Sequence, residues 1–443
     1  MLLSADEVKA IADRILARSG ADACTISMRG GEETTLRFAR NSATTNASIG
    51  SVQVTIDSHI GARTGSVTVT SLDEAALAEA IARSEDIARR LPVNPEYMAP
   101  LGPQSYQAAT SEDLRAAADA TPLAEAAATA IRRGGERNVD VSGNAMAGSA
   151  FMAMATSAGL FAYDRHGKAA LTVTARNAID SWSGWAGASD ASFPRIDAAR
   201  IGSRAAEKAD HDVPPLDLEP GRYTVILEPV AVAELMGFVL WAMDARSAEE
   251  GRSFLARKGG GTKLGETLFD TKITVSSDPA DPAIPGPVFG SDGLPHRRSI
   301  WIDRGIVRTL FQSRYWAART AENPIPPPPG FVIAGGDVSI DEMIKGTKRG
   351  LLVTRFWYTN LVDPQSLVVT GLTRDGNFFI ENGRIVAPAR NLRFNESAVA
   401  LFGRVAALGP TERVWWEANG GGGICAPPLL AEQFTFSSKS SGI

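Results

Sequence analysis

Cysteine and histidine are the scarcest chemically active residues in this chain: among 443 residues there are two cysteines, Cys24 and Cys425, and four histidines. Two thiols near opposite ends exclude a disulfide framework and match a reducing compartment, so a cytoplasmic location is expected. His59, His166, His211 and His296 stand at no ligand spacing, which leaves no histidine-based metal motif. No apolar run reaches about 18 residues, and no basic stretch precedes an apolar one near Met1, so neither a membrane span nor a signal peptide is expected. Charge of one sign is not in surplus either. Forty-five basic against fifty acidic residues leave a net charge of -5, which offers no attraction to a nucleic-acid backbone or an anionic membrane. No short-period repeat occurs, which argues against a solenoid or propeller.

What is present divides into two textures. Ser4 and Glu7 have the spacing of a capping box, and Val8, Ile11 and Ile15 follow at helical intervals. Segments 22–28, 34–39, 51–57 and 65–70 alternate apolar and polar residues, with breaks expected at Gly30-Gly31, Asn41 to Asn46 and His59 to Gly65. A helix over about 73–91 ends before Pro92, and residues 92–110 resemble a linker. An alanine-rich helix over about 111–133 comes next, then strands near 138–146, 149–156 and 168–178, with Arg165-His-Gly167 as a turn, and a helix near 196–209. From Arg222 onward short strands with frequent Gly and Pro dominate: 222–228, 271–275, 298–302, 306–312, 367–373, 376–381, 384–386 and 432–437. Two helices, 230–244 and 340–348, interrupt them. Hairpins are expected through Asp303-Arg304-Gly305 and Glu381-Asn382-Gly383, and a turn at Arg374-Asp375-Gly376. The expected fold is α+β: an N-terminal α/β part with an antiparallel sheet and flanking helices, and a mainly antiparallel C-terminal β domain, barrel- or sandwich-like. Its expected divisions are 1–95, 96–215 and 216–443.

Several strings in the second half, in this order, carry a resemblance. They are Gly251-Arg-Ser-Phe-Leu255, Phe289-Gly-Ser-Asp-Gly-Leu-Pro295, Ile302-Asp-Arg-Gly-Ile306, Ser339-Ile-Asp-Glu-Met-Ile344, Arg349-Gly-Leu-Leu-Val-Thr354, Ile380-Glu-Asn-Gly383 with Pro388, and a closing segment from Pro427 to Phe436. Together they resemble the TldD/PmbA family over essentially the whole chain, and its PmbA (TldE) branch in particular. The resemblance implies a cytosolic zinc peptidase system acting on unfolded or flexible peptides, in which the TldD branch bears the zinc. The PmbA branch supplies the other half of a heterodimer and has also carried a DNA gyrase modulator label.

In the TldD branch the helix matching 230–240 reads His-Glu-x-x-x-His. Here the two ligand places are Ala233 and Phe238, and only Glu234 remains. A hydrolytic zinc needs three protein ligands and an open water position. The resemblance therefore implies no metal in this chain and zinc in a TldD-like partner. Glu234 and Cys425 are the two weak catalytic candidates. A lone carboxylate is more often exposed or paired, and a lone cysteine more often a small buried hydrophobe. Glu234, Gly422, Gly423 and Cys425, with Pro327 and Pro328 of the Pro326–Pro329 run, are the candidates for lining a peptide cleft, where strand addition would hold varied sequences. Trp357-Tyr358 and Trp415-Trp416 suit a subunit interface or a core equally. Lys258 to Gly265 lacks the spacing of a phosphate-binding loop. The expected role is the non-zinc subunit of a peptidase pair. The alternatives are an autonomous hydrolase with a rearranged site using Glu234 or Cys425, and a homodimeric scaffold without peptidase activity.

Overall fold

A computed structural model describes residues 1–107, 120–177, 182–415 and 423–440. The capping box at Ser4 forms: its hydroxyl accepts from the Glu7 amide at 3.3 Å and its own amide donates to the Glu7 carboxylate at 2.7 Å, opening α1 (Ala5–Arg18). Strands β1 (Ala23–Ala39), β2 (Ser42–Ile60) and β3 (Arg63–Val69) follow, then α2 (Glu74–Arg90) and α3 (Thr121–Gly135). The expected helix over 111–133 falls partly outside the described residues, at 111–119. Three further strands, β4 (Asp140–Thr156), β5 (Phe161–Arg176) and β6 (Ser183–Asp190), and then α4 (Ala198–Ala209), complete the first half. All six strands form one sheet in the order β3-β2-β1-β4-β5-β6. That sheet crosses residue 95, because β4 pairs with β1 from Thr25 to Phe38.

The expected break at Gly30-Gly31 does not occur, and β1 runs straight through it. A methyl group on Gly30 would meet the Phe151 ring at 2.5 Å, and one on Gly31 the Ser149 carbonyl at 2.4 Å. These glycines mark close approach within a sheet rather than a turn. Arg165-His-Gly167 is likewise inside β5, where His166 pairs with Ala150. All four helices pack on one sheet face. Ile26, Met28, Val54 and Phe151 meet α1 and α2, while Leu36, Val141, Leu171 and Val173 meet α3 and α4. The opposite face turns toward the second half of the chain.

That half begins with β7 (Gly221–Leu227), α5 (Pro229–Trp241) and α6 (Ala245–Glu249). It continues through β8 (Val275–Ser277), β9 (Ser299–Asp303), β10 (Ile306–Val307), α7 (Arg314–Thr320), β11 (Phe331–Ile333) and α8 (Ile340–Gly346). Then come β12 (Arg349–Asp363), β13 (Val368–Glu381), β14 (Arg384–Pro388), β15 (Leu392–Ser397), α9 (Ala398–Phe402), β16 (Val405–Leu408), β17 (Glu412–Arg413), β18 (Ile424–Ala426) and β19 (Leu429–Lys439). The order β12-β7-β19-β15-β13 closes on itself through β12–β13 pairing, which makes a five-strand barrel. Only β7 and β12 run parallel within it. Its core is aromatic: Phe394 lies 4.6 Å from Phe356 and 5.4 Å from Phe434, ring centre to ring centre. A smaller sheet, β10-β9-β8-β11-β18-β17, stands beside it.

Both expected hairpins form, with Arg304, Gly305, Asn382 and Gly383 at positive φ. The expected turn at Arg374-Asp375-Gly376 does not. Asp375 and Gly376 adopt positive φ within β13, opposite a register shift between Val353 and Arg355, so the segment is a bulge in a continuous strand. α5 is apolar nearly all round because it is buried nearly all round, packed against β12, β18 and α9.

Candidate functional site

The only face of α5 that is not sealed carries Val230, Glu234, Gly237, Phe238 and Trp241, at helical spacing. Opposite lie Arg355, Trp357 and Thr359 of β12, and Trp415. Together they enclose a cavity of about 800 Å³. Of the two ligand places, only Phe238 faces this cavity. Ala233 is completely buried in the core on another side of the helix.

Glu234 sits at the base of the cavity. Its carboxylate accepts a short hydrogen bond from the Thr359 hydroxyl. Burial pushes its pKa above the ordinary carboxylate value. The Thr359 hydroxyl, the Arg355 charge and the Phe356 amide pull it down without reversing the shift. The result is a carboxyl group that holds its proton more readily than a free one.

Arg355 builds the neighbouring wall. Its guanidinium stacks 4.9 Å from the Trp185 ring and 5.1 Å from the Trp357 ring, with the Arg374 guanidinium 4.8 Å from the Trp357 ring as well. Both arginines lean on one carboxylate, Asp375, at 2.7 Å and 3.4 Å. Ser183 at the start of β6 also donates to Asp375, at 2.7 Å, so the first half of the chain helps to hold this wall. The rim is apolar and open: Trp241 is 68% exposed and Tyr358 73%.

A second cavity, also about 800 Å³, lies between the helix-free face of the first sheet and loops of the second half. Its floor is built of cross-strand rows: Gln53, Arg29 and Met152; Ser51, Gly31, Ala150 and His166; Ile49, Glu33 and, across the intervening β4, Lys168. Its far wall is the Pro326–Pro329 run. The His296 Nδ1 donates to the Pro287 carbonyl at 2.8 Å, and burial keeps the ring below its ordinary pKa. Arg246 grips Glu96 through two bonds of 2.7 and 2.8 Å, and the Tyr106 hydroxyl donates to the Gly293 carbonyl at 2.8 Å, so the 92–107 segment ties the two walls together.

The structure thus separates the candidates named from sequence. Glu234 lines the α5 cavity; Pro327 and Pro328 line the other. Cys425 is buried in β18, where desolvation raises its thiol to about 11. Gly423 packs under Arg413, whose guanidinium a methyl group there would meet at 2.9 Å. Gly422 and Trp416 lie outside the described residues. Trp185, Arg355 and Thr359 were not named from sequence. The Trp357-Tyr358 pair was the nearest signal, and the contact of Trp185 on β6 with Arg355 on β12 across the two halves was not visible in it.

The donor set does not fit a zinc ion. α5 offers the cavity one carboxylate, two aromatic side chains and aliphatic groups, and among the described residues no three His, Cys, Asp or Glu side chains are grouped to hold a metal.

Residues 220–438 match the family model described as the PmbA/TldA metallopeptidase C-terminal domain, so the barrel half is of a metallopeptidase class. A protein named metalloprotease from Methanothermobacter thermautotrophicus is 23% identical over 236 residues, covering 50% of each, and the chain spans about half the length of this curated relative. TldE from Thermococcus kodakarensis has the same fold over 98% of this chain and 100% of its own, with a TM-score of 0.83 at 18% identity. So does a Thermotoga maritima protein described as a modulator of a DNA gyrase, over 97% of this chain and 100% of its own, with a TM-score of 0.82 at 18% identity. The chain belongs to the TldD/PmbA family, and its fold over the full length is that of TldE.

Proposed function

We propose that this chain is the non-zinc subunit of a TldD/TldE-like cytosolic metallopeptidase complex, and that it forms a peptide-binding cleft together with a zinc-bearing TldD-like partner in proteolysis or peptide maturation. The observation that carries this reading is the α5 cavity itself. It keeps a single carboxylate and a shaped wall, has no set of three metal-donor side chains among the described residues, and opens through the exposed rings of Trp241, Trp357 and Tyr358. Large aromatic rings left in water beside a cavity are the composition of an interface centre. Hydrolysis in this reading belongs to the partner, and this chain supplies binding and enclosure.

The test is to purify the chain alone and after co-expression with a TldD-like chain, and to measure particle mass, zinc per chain and peptide hydrolysis. The expected result is a heterodimer that hydrolyses peptides, with zinc only in the partner. One zinc per copy of this chain, or partner-free turnover that vanishes in Glu234→Gln, would establish an autonomous hydrolase instead. A stable homodimer that ignores every TldD-like partner would establish a scaffold.

A further inference from the structure

The first sheet carries a long open edge. β1 pairs with β2 from its start at Ser42, but β3 pairs with β2 only over Val54–Ile60. Among the described residues, β2 therefore has a neighbouring strand on one side only from Ser42 to Gln53. That segment, Ser-Ala-Thr-Thr-Asn-Ala-Ser-Ile-Gly-Ser-Val-Gln, holds no proline and no charge. Proline, charge and short length are the usual means of shielding an edge, and none applies here.

The edge also borders the second cavity. Ile49, Ser51 and Gln53 project from it into that slot, and Ile49 is 65% exposed. Four carboxylates, Glu32, Glu33, Asp244 and Asp292, line the slot against two cations, Arg29 and Lys168. Lys168 pairs with Glu33 and the Met1 ammonium stands 3.9 Å from Glu32, so Asp244 and Asp292 against Arg29 carry the slot's remaining negative charge. The opposite wall is a stiff run of four prolines.

We propose that the β2 edge and this slot form one binding site for an extended, neutral-to-basic peptide segment. The segment adds as a strand along Ser42–Gln53. Main-chain hydrogen bonds supply sequence-tolerant affinity, and alternate side chains drop into the slot, where the carboxylate excess selects basic over acidic ones. The site is separate from the α5 cavity. The inference rests on the proposed peptide-handling role only for the class of its ligand.

Three fluorescent hexapeptides test it by anisotropy and by hydrogen exchange on the full chain: Lys-Val-Thr-Lys-Val-Thr, its Glu-for-Lys counterpart, and the Lys peptide with alternate amides N-methylated. The expected result is slowed exchange within residues 42–53 on adding the Lys peptide, with Kd at least about tenfold weaker for the other two peptides. Ile49→Lys, an exposed change, is expected to weaken the Lys peptide by about tenfold as well. Failure of the Lys peptide to bind, equal affinity of the N-methylated peptide, or protection confined to other residues would overturn the site. So would protection of 42–53 that arises on concentrating the chain without peptide, because the edge would then serve self-pairing. Partner-dependent hydrolysis without protection of 42–53 sinks this inference and leaves the proposed function standing. Protection of 42–53 with no hydrolysis beside any TldD-like chain does the reverse.

Discussion

The Lys208 ammonium on α4 and the Glu228 carboxylate at the start of α5 stand 2.7 Å apart in a buried seam that joins the two halves of the chain. Arg204 approaches the same carboxylate at 3.5 Å, and the Thr354 hydroxyl donates to it at 3.3 Å. Burial lowers the Lys208 pKa, while the charge of Glu228 works against that shift. The cost of desolvating both ions is met only while both are present. Lys208→Met is expected to cost about 3 kcal/mol, because it leaves Glu228 buried with only the longer Arg204 and Thr354 contacts. Lys208→Met with Glu228→Gln is expected to recover most of that loss. Urea unfolding of the two variants decides the matter, and equal stability of single and double variants would show that the pair is not coupled.

Glu234 links stability to pH in the opposite sense from most carboxylates. Its pKa is raised in the folded chain, so the folded state binds the proton more tightly than the unfolded one. The stabilising contribution of the protonated group is complete below the ordinary carboxylate value and is lost as pH rises through the folded pKa. Glu234→Gln removes this slope. The variant is expected to melt about 2 °C higher than the parent at about pH 7.5 and together with it at about pH 4. A parent that gains from Glu234 at neutral pH would contradict the assignment.

Both cysteines are expected to be inert in the native chain. Desolvation raises each thiol to about 11, so only about one in a thousand is ionised at about pH 8. Ellman's reagent is expected to titrate them only after unfolding. Cys425→Ser is expected to leave partner-dependent hydrolysis unchanged, and loss of hydrolysis with an unchanged melting curve would return Cys425 to the site.

The exposed rings of the α5 rim separate association from folding. Trp241→Glu and Tyr358→Glu sit at exposed positions and are expected to change stability by no more than about 0.5 kcal/mol. Each is expected to weaken association with a TldD-like partner by at least about tenfold, read by analytical ultracentrifugation. Unchanged association in both would move the interface elsewhere.

The capping box at Ser4, the helices before Pro92 and after Ser339, and both glycine hairpins were legible in sequence because each depends on residues within one turn of each other. β12 was not. Its registers shift between Val353 and Arg355 and again between Trp357 and Asn360, which breaks the two-residue alternation that marks a strand. Gly30-Gly31 misled for a related reason: glycine signals both turns and tight sheet packing, and only the ring of Phe151 across the sheet shows which. In the site, Glu234 was visible as a carboxylate in an apolar helix. Its partners Thr359 and Arg355 lie more than a hundred residues away in sequence, and the Trp185 wall arrives from the other half of the chain.

Ala233 has a consequence for anyone who would rebuild a zinc site here. The residue is fully enclosed, so an imidazole at 233 would have to displace core atoms, at a cost of about 1–3 kcal/mol for overpacking alone, before it could reach the cavity. A histidine at 238 would face the cavity with only half of its helical pair. Converting this chain into a metalloenzyme is therefore a problem of helix rotation and core redesign, and grafting the two missing letters will not accomplish it.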